Sequence, residues 1–145
     1  VLGNLFRKIY VARFAESVSV LIRGGIPLAQ AVEIAGHSIQ NLVYRDVLHE
    51  IAEGIKAGEL FSGLLVQNEY YFPPLVGQMV AIGEGAGRLD EVLTRISTLY
   101  TREVNDILDN LVEMIQPALI AVIGIFVGLL FASILIPIYN LAQTF

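Results

Sequence analysis

The sequence of 145 residues contains no cysteine, so it can form neither disulfide bonds nor zinc sites with thiolate ligands. Without cysteine, the redox compartment cannot be inferred either. Lysine occurs only at Lys8 and Lys56, and neither residue follows a glycine. A phosphate-binding P-loop of the Gly-Lys-Ser/Thr type is therefore excluded.

Charged residues are absent from the C-terminal part of the sequence, where none occurs after Glu113. Between Pro117 and Pro137 lie nineteen residues, and Ser133 is the only polar one among them. As a helix, this run would be about 28 Å long, close to the thickness of a bilayer core. The sequence therefore predicts a transmembrane helix over residues 114–137. The alternative, a buried core helix, is usually shorter and seldom uncharged for so long.

The net charge of −5 is distributed unevenly along the chain. Residues 1–23 carry four basic residues and one acidic residue, whereas residues 24–113 carry five basic and thirteen acidic residues. This acidic excess argues against nucleic acid as a partner, since phosphates need a basic surface. Every Lys and Arg precedes the apolar run, so the positive-inside rule places residues 1–113 in the cytoplasm. Residues 138–145 then form a short extracytoplasmic tail.

Helical spacing dominates residues 1–113, and strand-like alternation is absent from the sequence. We therefore predict an all-α fold, a bundle of six helices. One apolar stripe of the first helix is predicted to be buried, and it consists of Phe6, Tyr10, Phe14, Val18 and Leu21. The last helix is predicted to continue into the membrane span, with Pro117 as the expected position of a kink. The predicted helices cover residues 5–23, 27–37, 41–56, 60–66, 74–83 and 89–136.

The glycine-rich residues 83–87 are predicted to form a flexible loop with positive φ angles. They do not form a dinucleotide-binding fingerprint, because Arg88 stands where the third glycine would be and no strand precedes them. His37 and His49 are the only histidines, and surface positions are the favoured interpretation over a metal site. No nucleophile motif is present. The sequence thus predicts no enzymatic activity, no cofactor and no metal.

Two further surfaces have more than one interpretation. Glu103, Asp106, Asp109 and Glu113 fall near one stripe of the last predicted helix; a solvated face is favoured over a docking strip for a basic partner. Small residues recur at helical spacing inside the membrane run, at Ala121, Gly124, Gly128 and Ala132. Such a face favours close packing against another membrane helix, of the same protein or of a second copy.

The order of several motifs resembles one known family, the inner-membrane platform proteins of type II secretion and type IV pilus assembly. The resemblance covers essentially the whole chain and is strongest for the second cytoplasmic repeat and last membrane helix of that family. Its most characteristic run is Gly-Glu-x-Ser-Gly-x-Leu, to which residues 83–89 are similar. The motifs lie at residues 13–15, 21–28, 72–74, 83–90, 117, 124–128 and 137–139.

This resemblance implies a six-helix cytoplasmic domain, duplicated in a longer multi-pass protein of the bacterial inner membrane. Because the chain opens with Val, it is expected to be a fragment. The implied function is non-enzymatic: a platform couples a hexameric assembly ATPase to the insertion or extraction of pilin or pseudopilin subunits. Self-association and contacts with other inner-membrane assembly components are also implied.

Six residues are the candidate contacts with the ATPase: Arg7, Lys8, Arg13, Arg23, Glu84 and Arg88. For the four basic residues near the N-terminus, plain membrane-proximal charge is an equally good explanation. The alternative function, from a different class, is a tail-anchored helical adaptor or regulator held in the membrane by its C-terminal helix. A native N-terminus at Val1 preceded only by Met would favour that alternative.

Overall fold

The computed structural model describes residues 2–144 of the chain, and every regular secondary-structure element within that range is a helix. The predicted all-α fold with six helices is confirmed, as is the long last helix that continues into the apolar run. The helices are α1 Leu2–Arg23, α2 Leu28–Ser38, α3 Leu42–Lys56, α4 Phe61–Gln67, α5 Pro74–Ala86 and α6 Leu89–Thr144.

Glycine, proline and asparagine set several of the helix ends. Gly25 has a φ of 87° and follows the end of α1, where the left-handed conformation closes the last turn. Pro74 is the first residue of α5, a position where its missing N–H costs nothing. The side chain of Asn41 caps α3 by accepting hydrogen bonds from the backbone N–H groups of Val43 and Tyr44.

The predicted flexible loop at residues 83–87 is wrong for most of its length. Helix α5 continues through Ala86, and Gly87 alone of these residues has a positive φ, of 68°. Gly83 is buried, and a Cβ atom placed on it would lie 2.8 Å from Cγ2 of Val92. Glycine at this position therefore permits close packing of α5 on the start of α6. It is needed because there is no space for a side chain, and not because the backbone must be flexible.

The first compact unit of the chain ends at Asn105 and has one apolar core. At its centre the ring of Phe14 lies 5.2 Å from that of Phe72 and 6.1 Å from that of Phe61, measured between centroids. Fully burying one such ring contributes roughly 1.5–3 kcal/mol, so these contacts hold α1, α4 and the segment before α5 together. Helix α6 contributes Leu93, Ile96, Tyr100 and Val104 to the core.

The predicted buried stripe of α1 is wrong at Phe6, whose side chain is 53% exposed. From Phe6 to Val18 the stripe advances in steps of four residues, and each such step turns about 40° past a full rotation. Phe6 is three steps from the buried Val18, so it lies about 120° away around the helix. Val11 and Ala15, which the stripe omitted, are fully buried instead.

The second compact unit begins at Asp106 and consists of the rest of α6. Within the described residues, α6 is the one helix long and apolar enough to cross a membrane, by length and composition. Pro117 and Pro137 both lie inside it. The predicted limits of the cytoplasmic domain (1–113), the membrane helix (114–137) and the tail (138–145) stay predictions.

Candidate functional site

Arg7 lies on α1 and reaches the turn between α4 and α5. Its Nη2 donates a hydrogen bond to the backbone carbonyl of Glu69, and its Cζ lies 5.7 Å from the centroid of the Tyr70 ring. The Nε of Arg7 is buried and has no hydrogen-bond partner among residues 2–144. Arg7 is thus held by a carbonyl and an aromatic face, and its buried Nε–H is unpaired among these residues.

Four tyrosines surround this arginine. The ring centroids of Tyr10 and Tyr44 are 4.8 Å apart, those of Tyr44 and Tyr71 are 5.4 Å apart, and those of Tyr70 and Tyr71 are 5.0 Å apart. The hydroxyl of Tyr44 donates to the carbonyl of Tyr71 over 3.0 Å. Burial raises the pKa of Tyr44 to about 12, and the charge of Arg7 partly opposes this effect. Tyr44 therefore stays neutral in the physiological range.

Arg7 and these tyrosines line a cavity of about 590 Å³ in the first unit. Its wall comes from the first half of α1, the start of α3 and the α4–α5 turn. Its lining among residues 2–144 is Gly3, Asn4, Phe6, Arg7, Tyr10, Asn41, Val43, Tyr44, Tyr70 and Tyr71. The sequence does not reveal this cavity, because its lining comes from three separate segments of the chain.

Two other candidate contacts, Lys8 and Arg23, tie α1 to α6. Nζ of Lys8 lies 3.1 Å from a carboxylate oxygen of Glu103. Arg23 donates from Nη2 to the hydroxyl of Thr94 over 2.8 Å, and its Nε lies 3.9 Å from Asp90. Both basic residues are thus engaged with α6 inside the first unit.

Arg13 is exposed and makes no ion pair or side-chain hydrogen bond with any residue from 2 to 144. It borders a groove of about 150 Å³ between α1 and α6, together with Glu16, Thr101 and Val104. Of the four basic candidates on α1, Arg13 is therefore the one whose guanidinium has no partner within the described residues.

Glu84 has an intramolecular role that the sequence did not reveal. Its two carboxylate oxygens accept hydrogen bonds from the backbone N–H groups of Phe61, at 3.1 Å, and Ser62, at 2.8 Å. These groups belong to the first turn of α4, whose N-cap position, Leu60, has no side chain able to accept them. Arg88 is exposed, and its backbone N–H donates to the carbonyl of Gly83.

Helices α2 and α3 are joined by an acid–histidine contact. Nδ1 of His49 lies 2.8 Å and 2.9 Å from the two carboxylate oxygens of Glu33, and Nε2 of His37 lies 3.5 Å from one of them. The hydrogen bond and negative charge of Glu33 raise the pKa of His49 above its usual value. Among residues 2–144, no group of three or more acidic or histidine side chains could hold a metal ion.

The small-residue face of α6 is uncovered. A Cβ atom placed on Gly124 or on Gly128 would meet no other atom within 4 Å, and Ala121 and Ala132 are exposed. The candidate partner contacts that make intramolecular bonds engage different elements: Arg7 bonds to the α4–α5 turn, Lys8 and Arg23 bond to α6, and Glu84 bonds to α4. Their roles in binding a partner stay predictions.

Comparison with known proteins shows similarity over nearly the whole chain. A protein-family model described as "Type II secretion system (T2SS), protein F" matches residues 14–137. The type IV pilus assembly protein PilC of Thermus thermophilus is 33% identical over 144 residues, which cover 99% of this chain and 36% of that protein.

Two other relatives show the same extent of similarity. The type IV pilus assembly protein TapC of Aeromonas hydrophila is 33% identical over 99% of this chain and 34% of its own length. The type II secretion system protein F of Pseudomonas aeruginosa is 30% identical over 97% of this chain and 35% of its own length. The chain thus spans about a third of the length of the curated relatives it matches.

Proposed function

Because the chain belongs to the type II secretion system protein F family, we propose that it is part of a platform protein of type IV pilus assembly or type II secretion. The platform couples a hexameric cytoplasmic ATPase to the insertion or extraction of pilin or pseudopilin subunits. Relatives named as type IV pilus assembly proteins and as secretion-system proteins both match the chain, and they support this wider description.

One observation carries the coupling proposal: α6 is a single helix from Leu89 to Thr144. Leu93, Ile96 and Tyr100 of its first part are buried in the bundle core, so this part of the helix is fixed to the other elements of the first unit. Its later part is the candidate membrane span. The two parts belong to one helix, in which Pro117 removes one backbone hydrogen bond, and a force applied to the bundle would reach the membrane segment through this helix.

The structure favours two of the candidate contacts over the others for binding the ATPase. Arg13 and Arg88 are exposed and have no ion pair within residues 2–144, so a partner could contact them without breaking an internal bond. Arg7, Lys8, Arg23 and Glu84 each have an intramolecular partner, which a second protein would have to displace.

The proposed location is the bacterial inner membrane, with the helical bundle in the cytoplasm and further membrane spans elsewhere in a longer protein. Pilin-like subunits, other inner-membrane assembly components and a second copy are the proposed membrane partners. The proposal is non-enzymatic, and none of the names reported for the relatives is that of an enzyme. The adaptor or regulator alternative has no relative among those names.

Charge reversal in the full-length protein tests the ATPase contacts. Arg13→Glu and Arg88→Glu, alone and combined, are expected to abolish piliation or secretion at normal protein levels. Arg45→Glu is the matched control, because Arg45 is also exposed and without an ion pair between residues 2 and 144 but lies on α3. The triple reversal of Arg7, Arg13 and Arg23 should have at least the effect of Arg13→Glu.

In-cell photocrosslinking identifies the partner directly. Probes at Arg13 and Arg88 should give adducts with the assembly ATPase, and a probe at Gly128 should give adducts with a pilin-like subunit. Normal piliation in the charge-reversed proteins, together with only lipid and self-adducts in actively assembling cells, would remove the coupling proposal and leave a membrane-anchored adaptor.

A further inference from the structure

The cavity beside Arg7 has an unusual charge for this protein. Among residues 2–144, Arg7 is the one lining residue with a formally charged side chain, and no Asp or Glu of this range lines the cavity. The chain as a whole has a net charge of −5. An anionic group is therefore the charged ligand that this cavity accommodates without repulsion.

Two of the hydrogen-bond donors on residues that line the cavity, Nε of Arg7 and Nδ2 of Asn41, have no acceptor within residues 2–144. Nε of Arg7 has no acceptor, and leaving a buried donor unpaired is costly, so most such groups in folded proteins are satisfied. Oδ1 of Asn41 accepts two backbone hydrogen bonds, which leaves its Nδ2 amide group free to donate. A carboxylate has two acceptor oxygens and suits this combination, since arginine binds carboxylates in a bidentate manner.

The rim of the cavity is apolar and exposed, whereas its floor is fixed. Phe6, Val43 and Tyr70 at the rim are all at least half exposed, and grouped apolar exposure of this kind marks binding surfaces. The floor residue Tyr44 is buried and bonded to the carbonyl of Tyr71. Tyr70 covers the guanidinium of Arg7 but is 77% exposed, so it can move aside without leaving the core.

We infer that this cavity binds a peptide segment of a partner protein in which an acidic residue stands next to an aromatic or large aliphatic residue. The carboxylate would bind Arg7 and Asn41, and the apolar side chain would pack against Phe6, Val43 and Tyr70. The volume of about 590 Å³ and the aromatic wall fit a peptide better than a small inorganic anion. The inference does not depend on the proposed ATPase coupling, because any partner that presents such a segment satisfies it.

Fluorine NMR of the full chain in lipid nanodiscs tests the inference directly. With 3-fluorotyrosine in place of tyrosine, Tyr10, Tyr44, Tyr70 and Tyr71 report on the cavity, and Tyr139 on α6 is an internal control; the chain has six tyrosines in all. The probe is the peptide acetyl-Gly-Asp-Phe-Gly-amide. It should shift the four cavity resonances in a saturable manner and leave Tyr139 unchanged.

Two matched peptides separate the contribution of the carboxylate to binding from that of the apolar side chain. The analogue with Asn in place of Asp should bind at least about tenfold more weakly, because a charge-assisted hydrogen bond is lost. The analogue with Ala in place of Phe should also bind more weakly, and acetate alone should cause no saturable shift. Equal binding of the Asp and Asn peptides would overturn the inference.

Variants of the chain complete the test. Arg7→Gln should weaken binding of the Asp peptide at least about tenfold, and Arg45→Gln, on the exposed face of α3, should not change it. If Arg7→Gln disturbs the tyrosine spectrum without peptide, Phe6→Ala is the second variant, since this exposed side chain is not part of the core. The absence of a saturable shift, or shifts that follow protein concentration without peptide and so indicate a second copy, would overturn the inference whatever the piliation phenotype.

Discussion

The backbone N–H of Ser62 donates a hydrogen bond of 2.8 Å to Oε1 of Glu84, which lies 22 residues further along the chain. Together with the bond from Phe61, this contact caps α4 with a side chain from α5. We expect Glu84→Ala to lower the free energy of unfolding by about 1–2 kcal/mol, since two helix-terminal donors lose their acceptor. Glu84→Gln keeps one acceptor oxygen and should lose less. Urea unfolding in detergent micelles, followed by tyrosine fluorescence, measures both.

The matched control for this capping contact is Glu50→Ala on the exposed face of α3. Glu50 has no hydrogen bond or ion pair within residues 2–144, so its loss should change the free energy of unfolding by no more than about 0.5 kcal/mol. Equal losses in the two variants would show that removal of negative charge, and not loss of the α4 cap, is responsible.

Two glycines of α5, Gly83 and Gly85, should respond to alanine with opposite signs. At Gly83 the new Cβ would lie 2.8 Å from Cγ2 and 3.0 Å from Cβ of Val92, and 3.4 Å from Cα of Leu89. A β-branched side chain and a backbone atom cannot easily move aside, so Gly83→Ala should lower the free energy of unfolding by about 1–3 kcal/mol.

The comparison variant Gly85→Ala meets no atom within 4 Å and lies inside the same helix. Alanine has the higher helix propensity, so this change should raise the free energy of unfolding by about 0.5–1 kcal/mol. The same unfolding measurement serves for both glycines. Stabilisation by both substitutions would mean that α5 and the start of α6 are packed less closely than the structure shows.

The sequence predicted the helices well, because their ends depend on local chemistry. Gly25 and Pro74 act through their own backbone preferences, which a single chain segment already reveals. The same reasoning failed at Gly83, since glycine can be required either for a positive φ or for space. Only the contact with Val92, made by another helix, distinguishes the two requirements.

The candidate site was less predictable than the fold. The basic residues of α1 were predicted together as candidate contacts, but a helix turns about 100° per residue and directs neighbouring side chains to different elements. Arg7 reaches the α4–α5 turn, Lys8 pairs with α6, and Arg13 remains exposed. The tyrosine-lined cavity brings together three segments distant in sequence, so periodicity within one segment could not indicate it.

The contact between His49 and Glu33 predicts a pH dependence of stability. Glu33 raises the pKa of His49 in the folded protein above its unfolded value of about 6.5. Protonated His49 therefore contributes stability that is fully present below about pH 6.5 and is lost as the pH rises through the folded pKa. Unfolding midpoints measured between about pH 5.5 and 8.5 should show this loss, which His49→Gln should remove.

His37 provides the control for that titration. It also faces Glu33, at 3.5 Å, but His37→Gln leaves the shorter His49 contact intact. The loss of stability attributed to His49 should therefore persist in His37→Gln. Proton NMR of the His49 ring in this variant should give a folded pKa above about 6.5; a value at or below that would contradict the contact.

Larger side chains on the small-residue face of α6 should disrupt the proposed packing of the membrane helix against a second helix. Gly124 and Gly128 lie on an uncovered face, and leucine at both would prevent the close approach of a second helix. Ser133→Leu is the control, because Ser133 lies about 135° around the helix from the centre of that face. In the full-length protein, with a photoreactive residue at Ala121, the double variant should reduce adducts with other membrane helices about fivefold or more. The control should not reduce them. Unchanged yields of these adducts in the double variant at equal protein level would show that Gly124 and Gly128 do not mediate the contact between helices.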